Sequence, residues 1–183
     1  MKKNAKPSLK CTGNPMMELR EYPKEIYDVF LRVITKDGKI LDLGCGNGLL
    51  LKHIMENSGC HMVPYGVDFI KESIHQAKTI IHPENAENFH SVNIVEFTFP
   101  DAPYDYILFD PFDIHESDLR NIINKAIKAL SDTGFLIFYT YTDVLDFFEY
   151  EWVGEFFLWE IKKVLKRIDH DEVSIGVYSK NGI

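Results

Sequence analysis

Glycines at positions 44, 46 and 48 directly follow the short apolar run Lys39-Ile40-Leu41-Asp42-Leu43, and a helical pattern begins again at residue 49. This junction constrains the chain more than any other stretch, because it spells strand, tight loop and helix in succession. Glycine lets the backbone turn sharply and come close to a ligand, while the first turn of the following helix presents N–H groups without intrahelical partners. A carboxylate-bearing ligand is favoured at such a place.

The same alternation recurs. Residues 62–67, 89–92, 104–109 and 135–139 read as strands, and 70–81 and 119–130 as helices. A helix over 16–35, interrupted near Pro23, precedes the first strand. Residues 140–156 read as helix and loop rich in aromatics. Residues 157–168 and 173–178 then flank the turn-like Asp169-His170-Asp171 as two antiparallel strands, although Lys162-Lys163 and Lys166-Arg167 leave a helix open for the first. The expected class is α/β: an open, mostly parallel seven-stranded sheet with helices on both faces and the last strand antiparallel.

With 183 residues the chain suffices for one compact domain that buries roughly 70% of its unfolded surface, and is too short for two ordinary ones. The expected organisation is a flexible tail over 1–15 and a single domain over 16–183. That domain comprises the N-terminal helix, a cofactor-binding core over 38–140, and an aromatic segment with terminal strands over 141–183. Its 28 acidic and 20 basic residues give a net charge of −8, which opposes attraction to phosphate backbones and anionic lipid, so nucleic acid is not an expected partner. No apolar run approaches the roughly 20 residues of a membrane span, and the Lys-rich start lacks a signal peptide's apolar stretch. The expected location is cytoplasmic. Cys11, Cys45 and Cys60 are too few and scattered for a disulfide framework or a four-ligand zinc site; they read as free thiols, and no metal is expected.

In open parallel sheets ligands sit at the carboxyl ends of the strands where the winding reverses. The loop here is Gly-x-Gly-x-Gly with Asp42 two residues before the first glycine, whereas a dinucleotide fingerprint is Gly-x-Gly-x-x-Gly. Asp68 closes the second strand 20 residues beyond Gly48, where a carboxylate accepts both hydroxyls of a ribose. A ligand carrying an amine and a ribose suits two carboxylates around one glycine loop.

The stretch Ile40-Leu41-Asp42-Leu43-Gly44-Cys45-Gly46-Asn47-Gly48 resembles the first motif of the class I S-adenosylmethionine-dependent methyltransferases. The resemblance continues in the family's order through Asp68, Ser91-Val92-Asn93-Ile94, Tyr104-Asp105-Tyr106-Ile107-Leu108-Phe109-Asp110 and Leu130-Ser131-Asp132-Thr133-Gly134-Phe135-Leu136. It implies S-adenosylmethionine as the cofactor. Gly44, Gly46 and Gly48, with Cys45 tucked among them, would wrap the methionine part, and Asp42 would help hold its amino group. Asp68 would take the ribose hydroxyls, Phe69 and Ile70 would flank the adenine, and Asn93, with Ile94 beside it in the cofactor site, would accept from the adenine amine. Asn93 stands where the family usually has Asp, so its amide oxygen would be a weaker, uncharged acceptor.

A sulfonium methyl is already activated, so transfer needs an in-line nucleophile, exclusion of water and at most one group to take a proton. Asp110, at the end of the fourth strand, is the leading candidate to orient an acceptor or accept a proton, and it adjoins the cofactor; capping the next helix is the alternative. His115 is a second candidate base, or an exposed loop histidine. Tyr139, Tyr141 and Phe112 lie at neighbouring strand ends and either wall the acceptor site or pack at its rim. Glu21, with Glu18, is the acidic candidate ahead of the fold. Phe147, Phe148, Tyr150, Trp152, Phe156, Phe157 and Trp159 form a larger cluster that reads as a helix packing on the sheet, a substrate cover or a partner surface.

Two narrower resemblances qualify this. Tyr106-Ile107-Leu108-Phe109-Asp110 with Glu18 and Glu21 is similar to guanidinoacetate methyltransferases, in which carboxylates at these places hold a guanidinium, though the segment after Asp110 diverges. Glu151-Trp152-Val153-Gly154 through Glu160 resembles the double-glutamate loop of protein arginine methyltransferases, but follows the fifth strand rather than the fourth. The expectation is methyl transfer to an unidentified small molecule. Its rivals are a methyltransferase-fold binding or accessory protein, a guanidino N-methyltransferase and an RNA methyltransferase.

Overall fold

The computed structural model describes residues 24–111, 114–141, 164–169 and 173–179. A short helix α1 (Lys24–Asp28) continues into a 3₁₀ turn over Phe30–Arg32. From residue 24 onward this replaces the continuous helix expected up to residue 35. The amides of Val29, Arg32 and Val33 each bond three residues back, and the tighter winding leaves Phe30 and Ile34 both buried.

There follow β1 (Gly38–Leu43), α2 (Leu49–Asn57), β2 (Met62–Asp68), α3 (Lys71–Gln76), β3 (Phe89–Ser91), β4 (Tyr104–Phe109), α4 (Glu116–Ala129), β5 (Leu130–Tyr141), β6 (Val164–Asp169) and β7 (Val173–Ser179). The seven strands form one sheet in the order β3-β2-β1-β4-β5-β7-β6. Strands β1 to β5 pair in parallel, and β7 runs antiparallel to both β5 and β6. The expected class is therefore the observed one. β5 is longer than 135–139 because it starts at Leu130, where an irregularity opposite Tyr104 and Tyr106 admits the extra residues.

Side-chain parity sends the sheet into two cores. Ile40, Tyr106, Leu108, Ile137 and Tyr139 face α1 to α3, meeting Phe30, Leu51, Ile54 and Ile74. Leu41, Leu43, Ile107, Phe109, Leu136 and Phe138 face α4, whose Leu119, Ile122, Ile123 and Ala126 recur at helical spacing and are all but fully buried. Each buried Leu or Ile of this set stabilises the fold by about 1.5–3 kcal/mol. The chain winds outward from β1 to β3 and then crosses back to β4, so the reversal falls between β1 and β4.

The helix expected over 70–81 splits. Regular α3 stops at Gln76, and Ala77–Ile81 forms a wider turn in which the His82 amide bonds the Ala77 carbonyl at 2.7 Å. Pro83 cannot continue the ladder, and a 3₁₀ turn (Pro83–Asn88) leads into β3. Among the described residues no helix is long and apolar enough to cross a membrane.

Candidate functional site

The glycine loop hangs between the ends of β1 and β2. The Gly44 and Cys45 amides donate to the Val67 carbonyl at 2.8 and 3.1 Å, and Gly48 N–H closes the turn on the Cys45 carbonyl at 2.9 Å. Gly44, Gly46 and Gly48 have φ of 91°, 54° and 84°, the left-handed region that only glycine occupies without strain. A Cβ on Gly44 or Gly46 would meet nothing within 4 Å among the described residues, which leave open space in front of the loop there. Behind it the fit is tight: a Cβ on Gly66 would lie 2.6 Å from Cys45 Sγ and from the Phe89 ring. Cys45 is buried in that packing, its Sγ against the Gly46 carbonyl at 3.4 Å, and burial pushes its thiol well up.

Asp68 ends β2, and its two oxygens accept the Gly46 amide at 2.9 Å and the Ile70 amide at 2.8 Å. A carboxylate has about four acceptor positions, which leaves two for hydroxyls of a ligand. Next to it Phe69 is 73% exposed and Ile70 37%, apolar surface suited to a flat apolar ligand. Asn93 is exposed, with its Oδ1 accepting the Val95 amide at 3.0 Å, which leaves that oxygen one further acceptor position. Ile94 is half-buried against the α4-side core.

Asp42 lies on the face of β1 that meets α1 to α3, 1% exposed, and Tyr139 of β5 reaches across β4 to donate its hydroxyl to Asp42 Oδ1 at 3.3 Å. The Tyr139 ring packs edge-on against Phe30 at 5.1 Å. Burial drives the Asp42 carboxyl up to about 8; the Tyr139 hydroxyl opposes this, and the charges of Asp68 and Asp110 reinforce it. Asp42 is thus a neutral acid at neutral pH. Asp110, half-buried just past β4, is close enough to act on it.

His115 is exposed and caps α4: its Nδ1 lies 2.9 Å from Ser117 Oγ and accepts the Ser117 amide at 3.4 Å. Tyr141 is the last residue of β5. Glu18, Glu21, Phe112 and the aromatic cluster over 147–159 lie outside the described residues.

Sequence reasoning missed three contacts. The parity of β1 and β5 places Asp42 and Tyr139 on one face and could have revealed their pairing. Nothing in the residue pattern announces Asn47 Nδ2 donating to Gln76 Oε1 at 3.3 Å, or His82 Nε2 on the Gly48 carbonyl at 2.9 Å.

This sheet order and this loop define the Rossmann-like class I methyltransferase fold. Residues 34–168 match the methyltransferase-domain family, and the chain belongs to it. A glycine/sarcosine/dimethylglycine N-methyltransferase of Actinopolyspora halophila is 24% identical over 110 residues, 57% of this chain; the chain spans only 19% of that protein. Among solved structures, the N-methyltransferase NodS of Bradyrhizobium japonicum, in complex with S-adenosyl-L-homocysteine, superposes with a TM-score of 0.69 at 14% identity, covering 92% of this chain and 93% of that one. An RNA methyltransferase of Salinibacter ruber, also with S-adenosyl-L-homocysteine, gives 0.61 at 13% identity, covering 87% and 93%. S-adenosylmethionine is the cofactor this family implies. The residues present suit it: open space before Gly44 and Gly46, a buried carboxylate with spare acceptor positions, and an exposed apolar pair beside it.

Proposed function

We propose that the chain transfers a methyl group from S-adenosylmethionine to a small molecule held over the ends of β4 and β5. The observation that carries this is the loop itself, fastened behind and open in front at Gly44 and Gly46, with Asp68 bound to its Gly46 amide. The bound cofactor supplies an activated sulfonium methyl. Gly44, Gly46 and Gly48 would receive the methionine portion, and Asp68 the ribose hydroxyls. Phe69 and Ile70 would flank the adenine, and Asn93, with Ile94 beside it, would accept from the adenine amine. Asp42, beneath the loop, meets the donor's ammonium as a neutral acid that a nearby positive charge would ionise.

Asp110 would orient the acceptor or take its proton, since it stands half-buried just past β4 and near enough to act on Asp42. His115 is less suited to the base, because its Nδ1 is engaged in capping α4. Glu21, Phe112 and Tyr141 would line the acceptor side in this reading. The N-methyltransferase relatives and the acidic balance support a small acceptor over RNA.

Calorimetry with S-adenosylmethionine and S-adenosylhomocysteine tests the donor site. Wild type binds both, and Asp68→Ala weakens each at least tenfold, about 1.4 kcal/mol. Equal affinities remove Asp68 from the site. Labelled-methyl transfer into a metabolite extract, run beside total RNA, then separates the acceptor classes. Asp110→Asn is expected to lose most of the turnover. Donor binding with no transfer to either pool would favour a binding protein that keeps the fold.

A further inference from the structure

We propose that His82 is a positioning residue of the donor site, aiming the first peptide plane of α2 into the glycine loop through its Nε2–H bond to the Gly48 carbonyl. This rests on the donor reading above and adds a residue that the loop motif does not contain. His82 is 4% exposed, stands between the wide turn Ala77–Ile81 and the 3₁₀ turn Pro83–Asn88, and stacks on Phe89 with ring centroids 4.8 Å apart at 16°. Its Nε2 lies 2.9 Å from the Gly48 oxygen, which also accepts the Lys52 amide at 3.0 Å. A carbonyl accepts only, so Nε2 carries the proton and donates. Burial and the charge of Lys52 lower the imidazole's affinity for a second proton, against the Gly48 bond and the charge of Glu56, so the ring is neutral.

The consequence follows from the trans peptide. Carbonyl and N–H of one planar unit point in opposite directions, so fixing the Gly48 oxygen on His82 turns the Leu49 N–H away from that ring. That amide belongs to the unpaired first turn of α2. The ring also needs Gly48 to be glycine, since a Cβ there would lie 2.9 Å from His82 Cδ2 and 3.0 Å from Nε2. Together with Asp68 on Gly46 and Gln76 on Asn47, three side chains from β2 through the wide turn hold three consecutive loop residues. A loop held this way before the ligand arrives loses less freedom on binding.

The test compares two substitutions in the full chain by calorimetry with S-adenosylhomocysteine, with thermal unfolding alongside. His82→Phe keeps a ring on Phe89 and removes the donor; His82→Gln keeps an N–H donor of similar reach and removes the ring. Affinity is expected to fall about tenfold in His82→Phe and to stay within about threefold of wild type in His82→Gln, even though the glutamine variant loses the stacking and melts lower. The inference is overturned if the phenylalanine variant binds like wild type, or if affinity follows melting temperature rather than the donor. Should His82→Phe not fold, the glutamine variant decides: near-wild-type affinity supports the inference and a tenfold loss in the folded protein refutes it. A wild type that binds neither S-adenosylmethionine nor S-adenosylhomocysteine defeats the donor reading itself, and this inference with it.

Discussion

Asp68 and Asp42 lie at the carboxyl ends of neighbouring strands, Asp68 last in β2 and Asp42 next to last in β1, and are both buried, yet their surroundings differ. At the β2 end, Asp68 takes backbone N–H groups from Gly46 and Ile70 on its two oxygens. On the floor between β1 and β5, Asp42 has the Tyr139 hydroxyl at 3.3 Å and two further acids near it. The first region is a carboxylate supplied with donors and ready for hydroxyls. The second is an acid that its environment keeps protonated. One residue type therefore serves as an acceptor anchored by backbone amides in one place and, where burial raises its pKa, as a charge-sensitive group in the other.

The largest expected effect sharpens that difference. Asp42 has a folded value of about 8 against 3.8 when free, so between these limits the folded chain binds the extra proton. Its contribution to stability is full below about pH 4 and is lost as pH rises through about 8. The slope is at most about 1.4 kcal/mol per pH unit. Urea unfolding of wild type and Asp42→Asn across this range is expected to show a decline in wild type that the variant lacks. Parallel curves would mean that Asp42 titrates like an exposed carboxyl.

The next effect probes the packing under the β2 end. Gly66 stands opposite Asp42 in the sheet, and a Cβ there would press on Cys45 and on the Phe89 ring that stacks against His82. Gly66→Ala is expected to destabilise the fold by about 1–3 kcal/mol through overpacking and to weaken donor binding with it. Unchanged denaturant midpoint and affinity would show that the floor yields easily.

How far the site was legible follows the same division. Asp42, the glycines and Asp68 belong to a local pattern, because a strand-to-loop turn and the carboxylate after the next strand stand at short, regular spacings. The sheet was readable for a related reason: its alternating elements each bury a stripe or a run. The break of α3 at Gln76, and with it the place of His82, was not readable, since Ile70 to Ile81 keeps a helical apolar period while the ladder opens to an i to i−5 bond at His82. A ring reaching a carbonyl 34 residues away leaves no trace in spacing. The β4 and β5 end depends on individual side chains rather than backbone, so its candidates had to be picked singly, and His115 turned out to cap a helix.

The smallest effect isolates one hydrogen bond inside the second region, from β5 to β1. Tyr139→Phe removes the hydroxyl on Asp42 while keeping the ring that meets Phe30 edge-on, so packing changes little. Because Asp42 is already neutral at pH 7, the loss is that of an ordinary hydrogen bond, about 1 kcal/mol. Its sharper signature is in the pH curve. The phenol lowers the Asp42 value, so without it the acid stays protonated to higher pH and the decline in stability extends further above 8. The double variant with Asp42→Asn is expected to show no such extension. A Tyr139→Phe curve that ends where the wild-type curve ends would mean that the phenol does not act on the acid, and that the β1 and β5 ends are energetically independent.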